Sequence, residues 1–131
     1  MPDAFPVQLV SPERVLYDGE AEMVVCRPVD GAIAFLNGHV PYLGALADDE
    51  VRIILPGQGE EAAAVHGGFV QMTGDRLVVL SDLAELRAQI DVPRAETAKR
   101  RAEETLAREP ENADALGALA RAETRLKVAS S

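Results

Sequence analysis

Tryptophan is absent from this sequence, aromatic residues of all kinds make up 4%, and 131 residues hold a single cysteine. A lone Cys26 cannot close an internal disulfide. It stands in the apolar run Met23-Val24-Val25-Cys26, where a buried, inert thiol in a reducing compartment is expected. No apolar run approaches the roughly 20 residues that a membrane helix requires. The N-terminus also lacks the basic segment and apolar stretch of a signal peptide, so the expected location is cytoplasmic. Positive charge is scarce: 13 Lys and Arg stand against 22 Asp and Glu, for a formal charge of -9. Sequence-independent nucleic-acid binding needs cations that neutralise phosphates, and this balance argues against it. The two histidines, His39 and His66, lie apart from each other and from Cys26, without the close spacing of metal ligands. His66-Gly67-Gly68 lacks the Gly-Lys-Ser/Thr ending of a P-loop, and its glycines suit a bulge or a close strand approach. No Ser/His/Asp arrangement is present. The acids Asp48-Asp49-Glu50 and Glu60-Glu61 read as solvated turn residues beside Pro56 and Gly57. No catalytic residue, metal or obligatory cofactor is therefore expected.

What the sequence does contain falls into two segments. Residues 1 to 91 carry 15 acidic and 5 basic side chains, whereas residues 92 to 131 carry 7 and 8. The second segment is the one suited to an acidic surface or an anionic ligand. In the first, short apolar alternations are separated by Gly, Pro and acidic turns. Phe5, Val7 and Leu9 alternate with Pro6, Gln8 and Val10; Ala21, Met23 and Val25 alternate after an Asp18-Gly19 turn; Val51, Ile53 and Leu55 precede the Pro56-Gly57 break. Gly74-Asp75 between Phe69–Thr73 and Arg76–Leu80 predicts a two-residue hairpin. Such strands point to a sandwich or flattened barrel.

After Ile90 the period becomes helical. Asp91 or Val92 caps a helix with Pro93 in its first turn and an apolar stripe of Ala95, Ala98, Ala102 and Leu106. It ends near Glu109-Pro110. Asn112 then caps a second helix, with Asp114 in its first turn and a stripe of Leu116, Leu119, Ala122 and Leu126. The expected architecture is α+β: a β-sandwich over about residues 1 to 88 and an antiparallel helical hairpin over 89 to 131. Stripes made largely of alanine bury few methylenes, each worth about 0.8 kcal/mol, so the hairpin is expected to dock weakly and to suit a switch.

Several segments resemble one family. Asp30-Gly31-Ala32-Ile33-Ala34-Phe35-Leu36-Asn37-Gly38-His39-Val40-Pro41-Tyr42-Leu43 resembles its glycine, apolar-pair and Gly-His-x-Pro-Leu segment. Val65-His66-Gly67-Gly68-Phe69-Val70 resembles its Gly-Gly-Phe strand entry, and Val78–Glu85 its closing strand. Ile90-Asp91-Val92-Pro93-Arg94-Ala95 resembles the Ile/Leu-Asp-x-x-Arg-Ala motif of nucleotide-binding members. From Phe5 to about Lys127 the chain is similar to epsilon subunits of bacterial F-type ATP synthases. That resemblance implies a ten-stranded sandwich packed on the gamma subunit and the ring of c subunits. It further implies a hairpin that folds down, or extends toward the alpha and beta subunits and opposes ATP hydrolysis, all on the cytoplasmic face of the membrane. Gly31, Gly38, His39, Pro41, Gly67 and Gly68 would shape turns and the interface loop. Ala32, Ala34 and Asn37 depart from residues common at the c-ring loop.

The same resemblance implies regulatory ATP at Glu85, Ile90, Asp91, Arg94, Ala95 and Arg101, with Arg121 and Arg125 supplying the second helix. Charge spacing bears on this independently. Arg100, Arg108 and Lys127 each follow a glutamate by four residues, the favourable order for surface ion pairs. Arg94, Arg101, Arg121 and Arg125 do not, and arginines that face one another across a hairpin would be relieved by a triphosphate. The plainer reading is that alanine-rich helices carry arginine for solubility and that Asp91 only caps. Two rival functions are a free-standing β-sandwich interaction module with a helical recruitment tail and a cupin-like enzyme, the latter opposed by the missing histidine cluster.

Overall fold

A computed structural model describes residues 3–57 and 59–131. Among the described residues are eight strands: β1 (Phe5–Ser11), β2 (Arg14–Ala21), β3 (Met23–Cys26), β4 (Ile33–Phe35), β5 (Tyr42–Ile54), β6 (Glu60–Met72), β7 (Leu77–Leu80) and β8 (Ala84–Leu86). A single 3₁₀ turn, Arg87–Gln89, leads to α1 (Val92–Arg108) and α2 (Ala113–Ser130). The strands run in the order β2-β1-β7-β6-β5-β3-β4, with β8 on β6, and β1 and β7 pair in parallel. Their inward residues meet in one core built around Phe5, Leu9, Phe35, Ile53, Met72 and Leu77.

Eight strands rather than the expected ten follow from the length of β5 and β6. Each spans 13 residues and changes face midway. In β6 the core receives Ala63 and Val65, then Val70 and Met72, so the inward side passes from odd to even positions. In β5 it receives Leu46, then Val51 and Ile53. Alternation is strict in an ordinary strand, so such a flip needs irregular backbone. Gly67 and Gly68 supply it with φ of +76° and +122°. At Gly68 a Cβ would also collide with the Leu80 carbonyl oxygen. Ser81 pins the bend: its buried hydroxyl donates to the Gly67 carbonyl at 2.7 Å. Counted as two strands each, β5 and β6 restore the expected number, and their two halves line opposite sides of the core.

Other local expectations divide. β1 buries Phe5, Val7 and Leu9 as its alternation requires, and Gly74 takes a positive φ of +104° in the β6–β7 hairpin. Asp18-Gly19 is not a turn; it lies within β2 opposite Gln8 and Val7, and the reversal falls at Pro12-Glu13. In β3 the buried residues are Val24 and Cys26, not Met23 and Val25, because the bend at Glu22 between β2 and β3 shifts the inward phase by one. The acids Asp48–Glu50 and Glu60-Glu61 sit inside β5 and β6 rather than in turns.

The helices begin where their caps stand. Asp91 accepts from the Arg94 amide at 3.1 Å and Asn112 from the Ala115 amide at 2.9 Å, each satisfying an amide that has no partner within its helix. α1 buries Ala95 and Ala102 and packs on α2; α2 packs on β5 and β6. Of the expected stripe of α2, Ala122 is buried and Leu119 and Leu126 are half-buried, whereas Leu116 is 49% exposed; Ala115, Thr124 and Val128 are buried as well. Since Ala63 and Val65 face the core, Ala62, Ala64 and His66 face outward. Val128 fills the space over Ala62 and Ala64 beside Ile90.

Replacing Gly68 by alanine should destabilise the chain by about 3 kcal/mol or more, through the collision with Leu80 and the left-handed backbone. Gly74→Ala, which meets nothing within 4 Å, should cost about 1 kcal/mol. Urea unfolding of both variants checks the difference.

Candidate functional site

The seam between sandwich and hairpin collects most of the ionised side chains whose positions matter. β8 ends the sandwich with Glu85 pointing toward α2, and the 3₁₀ turn returns the chain so that Asp91 opens α1 beside it. Arg14 arrives from the start of β2, and Arg125 from the fourth turn of α2. Together with Leu83, Ala84, Gln89, Arg94, Ala95 and Ala98 these residues line a cleft of about 470 Å³. That size falls in the range of small-molecule sites. Three guanidinium groups on separate elements converge there, against two carboxylates already engaged. Glu85 Oε1 accepts from Arg125 Nε at 2.6 Å, and Asp91 caps the helix. Arg14 Nη2 donates to Gln89 Oε1 at 3.4 Å, and Arg94 forms no ion pair among the described residues. The cleft can accept an anion.

Of the eight residues suggested for ATP, Glu85, Asp91, Arg94, Ala95 and Arg125 come together in this cleft. Ile90 sits behind it, packed near Val128, Ala62 and Ala64. Arg101 lies further along α1 and lines an adjoining, shallower depression of about 540 Å³ with Asp91, Arg94 and Thr97. Arg121 folds back along α2 toward Gly117, outside both. Arg125 is not the unpaired arginine its spacing suggested, because its acidic partner is Glu85 from β8. Nor do Arg100, Arg108 and Lys127 close ion pairs with the glutamates four residues before them among the described residues. Lys127 reaches instead to Asp49 Oδ1 at 2.6 Å, where β5 offers a partner held by the sheet.

Two residues of this seam were not anticipated. Arg14 is one of only five basic residues in the first 91, an isolated cation among acids, and that scarcity was the available signal. His66 shares its face of β6 with two alanines, a position where a titratable ring is conspicuous.

The end of α2 is tied to the sheet by polar contacts. Arg87 Nε donates to the Val128 carbonyl at 3.1 Å, which also accepts from the Ser131 amide at the end of the helix, and its Nη2 donates to Ser131 Oγ at 3.0 Å. Arg87 also approaches Glu60 at 3.5 Å, and Ser131 Oγ donates to Glu50 Oε2 at 2.9 Å. At Asp49 burial pushes the carboxyl up, but the Lys127 and Glu50 hydrogen bonds and the charges of Lys127 and Arg27 overcome it and hold the group below its usual 3.8.

The interface loop is a separate feature. Gly31 and Gly38 adopt φ of +125° and +83°, and the Gly38 amide donates to the Gly74 carbonyl at 2.6 Å, fastening the loop to the β6–β7 hairpin. His39 organises the turn: its amide donates to the Leu36 carbonyl at 3.0 Å and its ring packs edge-on to Phe35. Leu36, Val40 and Pro41 point outward. Beside them the outer face of β5, β6 and β7 exposes Leu43, Phe69 and Leu80, of which Phe69 and Leu80 are paired across strands. Cys26 is fully buried in β3, and burial pushes its thiol up to about 12, which keeps it inert. Among the described residues, no helix is long and apolar enough to cross a membrane.

Residues 4–87 match the family described as ATP synthase, Delta/Epsilon chain, beta-sandwich domain, and residues 88–130 match its long alpha-helix domain. The ATP synthase epsilon chain of Thermobifida fusca is 44% identical over 127 residues, covering 94% of this chain and 90% of that one. That of Shouchella clausii is 40% identical over 124 residues, covering 94% and 92%. Among solved structures, a chain of the Euglena gracilis mitochondrial ATP synthase OSCP/F1/c-ring assembly superposes with a TM-score of 0.84 over 100% of this chain and 84% of its own, at 18% identity, a likeness of fold.

Lys127→Ala should loosen the last turns of α2. The lost pair is partly exposed and worth about 0.2–1 kcal/mol, so amide exchange there should quicken about twofold to fivefold. The Asp49 contribution is fully present above its usual value of 3.8 and is lost as pH falls through its lowered value, so wild type and variant should converge in strong acid.

Proposed function

The chain belongs to the ATP synthase delta/epsilon family, and on that premise we propose that it is an epsilon-type subunit of the central stalk whose hairpin responds to a nucleotide. The sandwich is the coupling part. Its outward loop, with Leu36 and Val40, meets the c ring, and the apolar face of Leu43, Phe69 and Leu80 meets the gamma subunit. Apolar side chains that are 46% to 71% exposed in one region fit burial against protein better than permanent hydration. The subunit carries out no chemistry itself and is held at the cytoplasmic face of the membrane through the complex.

The observation that carries the nucleotide reading is the cleft between Glu85, Asp91, Arg94 and Arg125. Its walls belong to the sandwich, α1 and α2 together, so it is complete only while the hairpin is docked. A ligand that binds one arrangement and not the other shifts the population toward it. A triphosphate supplies the charge that Arg14 and Arg94 lack and would share Arg125 with Glu85, in bidentate geometry that guanidinium groups favour. The adenosine would lie against the apolar stretch of Ala84, Ala95 and Ala98. With ATP bound, the hairpin is held down; without it, the helices are free to extend toward the alpha and beta subunits and restrain hydrolysis. Arg101 lies in the adjoining depression, and Arg121, outside both, joins only if its side chain swings from Gly117.

Calorimetric titration of the full chain with MgATP tests this. Saturable heat is expected for wild type. Arg94→Ala should abolish it within the measured range, and Arg14→Ala should weaken it about tenfold or more, as loss of one charge-assisted hydrogen bond would. Arg100→Ala, on the outer face of α1, should bind as wild type does. No saturable heat at millimolar MgATP would overturn the nucleotide reading, and failure to co-purify with gamma would overturn the stalk assignment.

A further inference from the structure

His66 is part of neither the core nor the proposed cleft, yet its environment is unusual. The side chain is 3% exposed. It stands on the outward face of β6 in line with Ala62 and Ala64, the residues that Val128 covers, and Arg125 of the docked hairpin lies close enough to act on its ring. Its Nε2 lies 3.4 Å from Glu85 Oε1, the same oxygen that Arg125 occupies at 2.6 Å. Its Nδ1 is buried with no hydrogen-bond partner among the described residues.

We propose that His66 is a proton-operated catch for the hairpin: the docked arrangement admits only the neutral ring, and protonation drives α2 off the sandwich. The neutral tautomer with its hydrogen on Nε2 can donate to Glu85, leaving Nδ1 as a bare acceptor. A second proton would place an N–H at Nδ1 where nothing accepts it and a positive charge near the Arg125 guanidinium. A buried donor without an acceptor and a like charge beside it both oppose the cation. When α2 lifts, Arg125 departs with it and water reaches the ring.

The groups facing His66 from each neighbouring element are Asp48 on β5, Glu85 on β8 and Arg125 on α2. Burial pushes the imidazole down and Arg125 pushes it further; the hydrogen bond that the ring donates to Glu85 and the charges of Asp48 and Glu85 raise it, and they do not prevail. The Glu85 hydrogen bond is the largest of these counterweights, but the same carboxylate is shared with Arg125. The docked ring therefore titrates below the usual 6.5. Docking is unaffected above that value, weakens as pH falls from it toward the docked value, and can change by at most about tenfold per pH unit while one proton is taken up. None of this requires nucleotide, so the catch stands or falls apart from the proposed ATP site.

The test uses the full chain without nucleotide, with spin labels on Glu13→Cys and Glu123→Cys, both exposed, while buried Cys26 stays unlabelled. Pulsed electron resonance gives the ratio of short, docked distances to long ones between pH 7.5 and 5.5. The ratio should fall severalfold in wild type and stay level in His66→Gln, which keeps a polar side chain of similar reach that cannot be protonated. A side-chain NMR titration of His66 in unlabelled protein provides a second reading: its midpoint should lie below 6.5 and rise in Arg125→Ala. A wild-type ratio that ignores pH, a His66→Gln ratio that falls just as steeply, or a midpoint at the ordinary value that Arg125→Ala leaves unmoved would overturn the proposal.

Discussion

A change of face in the middle of β6 governs how the two parts of this protein meet. Residues before Gly67 send odd-numbered side chains into the core, and residues after Gly68 send even ones. Without that flip, either Ala63 and Val65 or Val70 and Met72 would be turned to solvent, and the strand could not serve both sides of the core. The flip also decides what the hairpin sees. Ala62, Ala64 and His66 form the outward row because their neighbours are committed inward, and α2 lands on that row. The Gly68 amide plane can approach Leu80 only because no Cβ intervenes, so a missing methyl group underlies both the closed core and the docking surface.

The docked hairpin is held in two different ways. Apolar burial is modest, since alanines dominate the helix contacts and Val128 is the one larger side chain sealed against Ala62 and Ala64; burying a valine contributes about 1.5–3 kcal/mol at most. The rest is directional. Arg125 to Glu85, Lys127 to Asp49 and Arg87 to the Val128 carbonyl each need a definite geometry and lose their value once it is lost. Such contacts fix where the helix rests more than how strongly it holds, which suits an element with two positions.

The sequence revealed features encoded within a few residues. Alternation gave β1, the Gly74-Asp75 pair gave a hairpin, and Asp91 and Asn112 gave the two helix starts, because a strand face, a tight turn and a cap are local arrangements. The Asp91–Ala95 stretch of the cleft was visible for the same reason, and its family motif made it specific. Errors arose where a local pattern is degenerate. Met23 and Val25 are as apolar as Val24 and Cys26, so nothing in the run says which pair faces inward once the chain bends at Glu22. Ion-pair spacing considers only partners on the same helix, whereas Arg125 and Lys127 found theirs on β8 and β5. Arg14 joins the cleft from the far end of the chain, and His66 matters through what α2 places over it. Contacts of this kind belong to the tertiary arrangement and leave no periodic trace.

The ties of α2 are unevenly distributed along its length, and this has a mechanical consequence. The helix has 18 residues, so it is about 27 Å long. Arg125, Lys127, Val128 and Ser131 all lie near one end, while the loop joining it to α1 is at the other. The helix is thus a lever whose fastenings are beside its fulcrum. A load on the loop directed away from the sandwich reaches Arg125 first and the outer contacts in turn, peeling them one by one. The same load directed along the helix axis shears them together. Resistance to force is consequently anisotropic: a small outward tug at the loop opens what a much larger axial pull would leave in place.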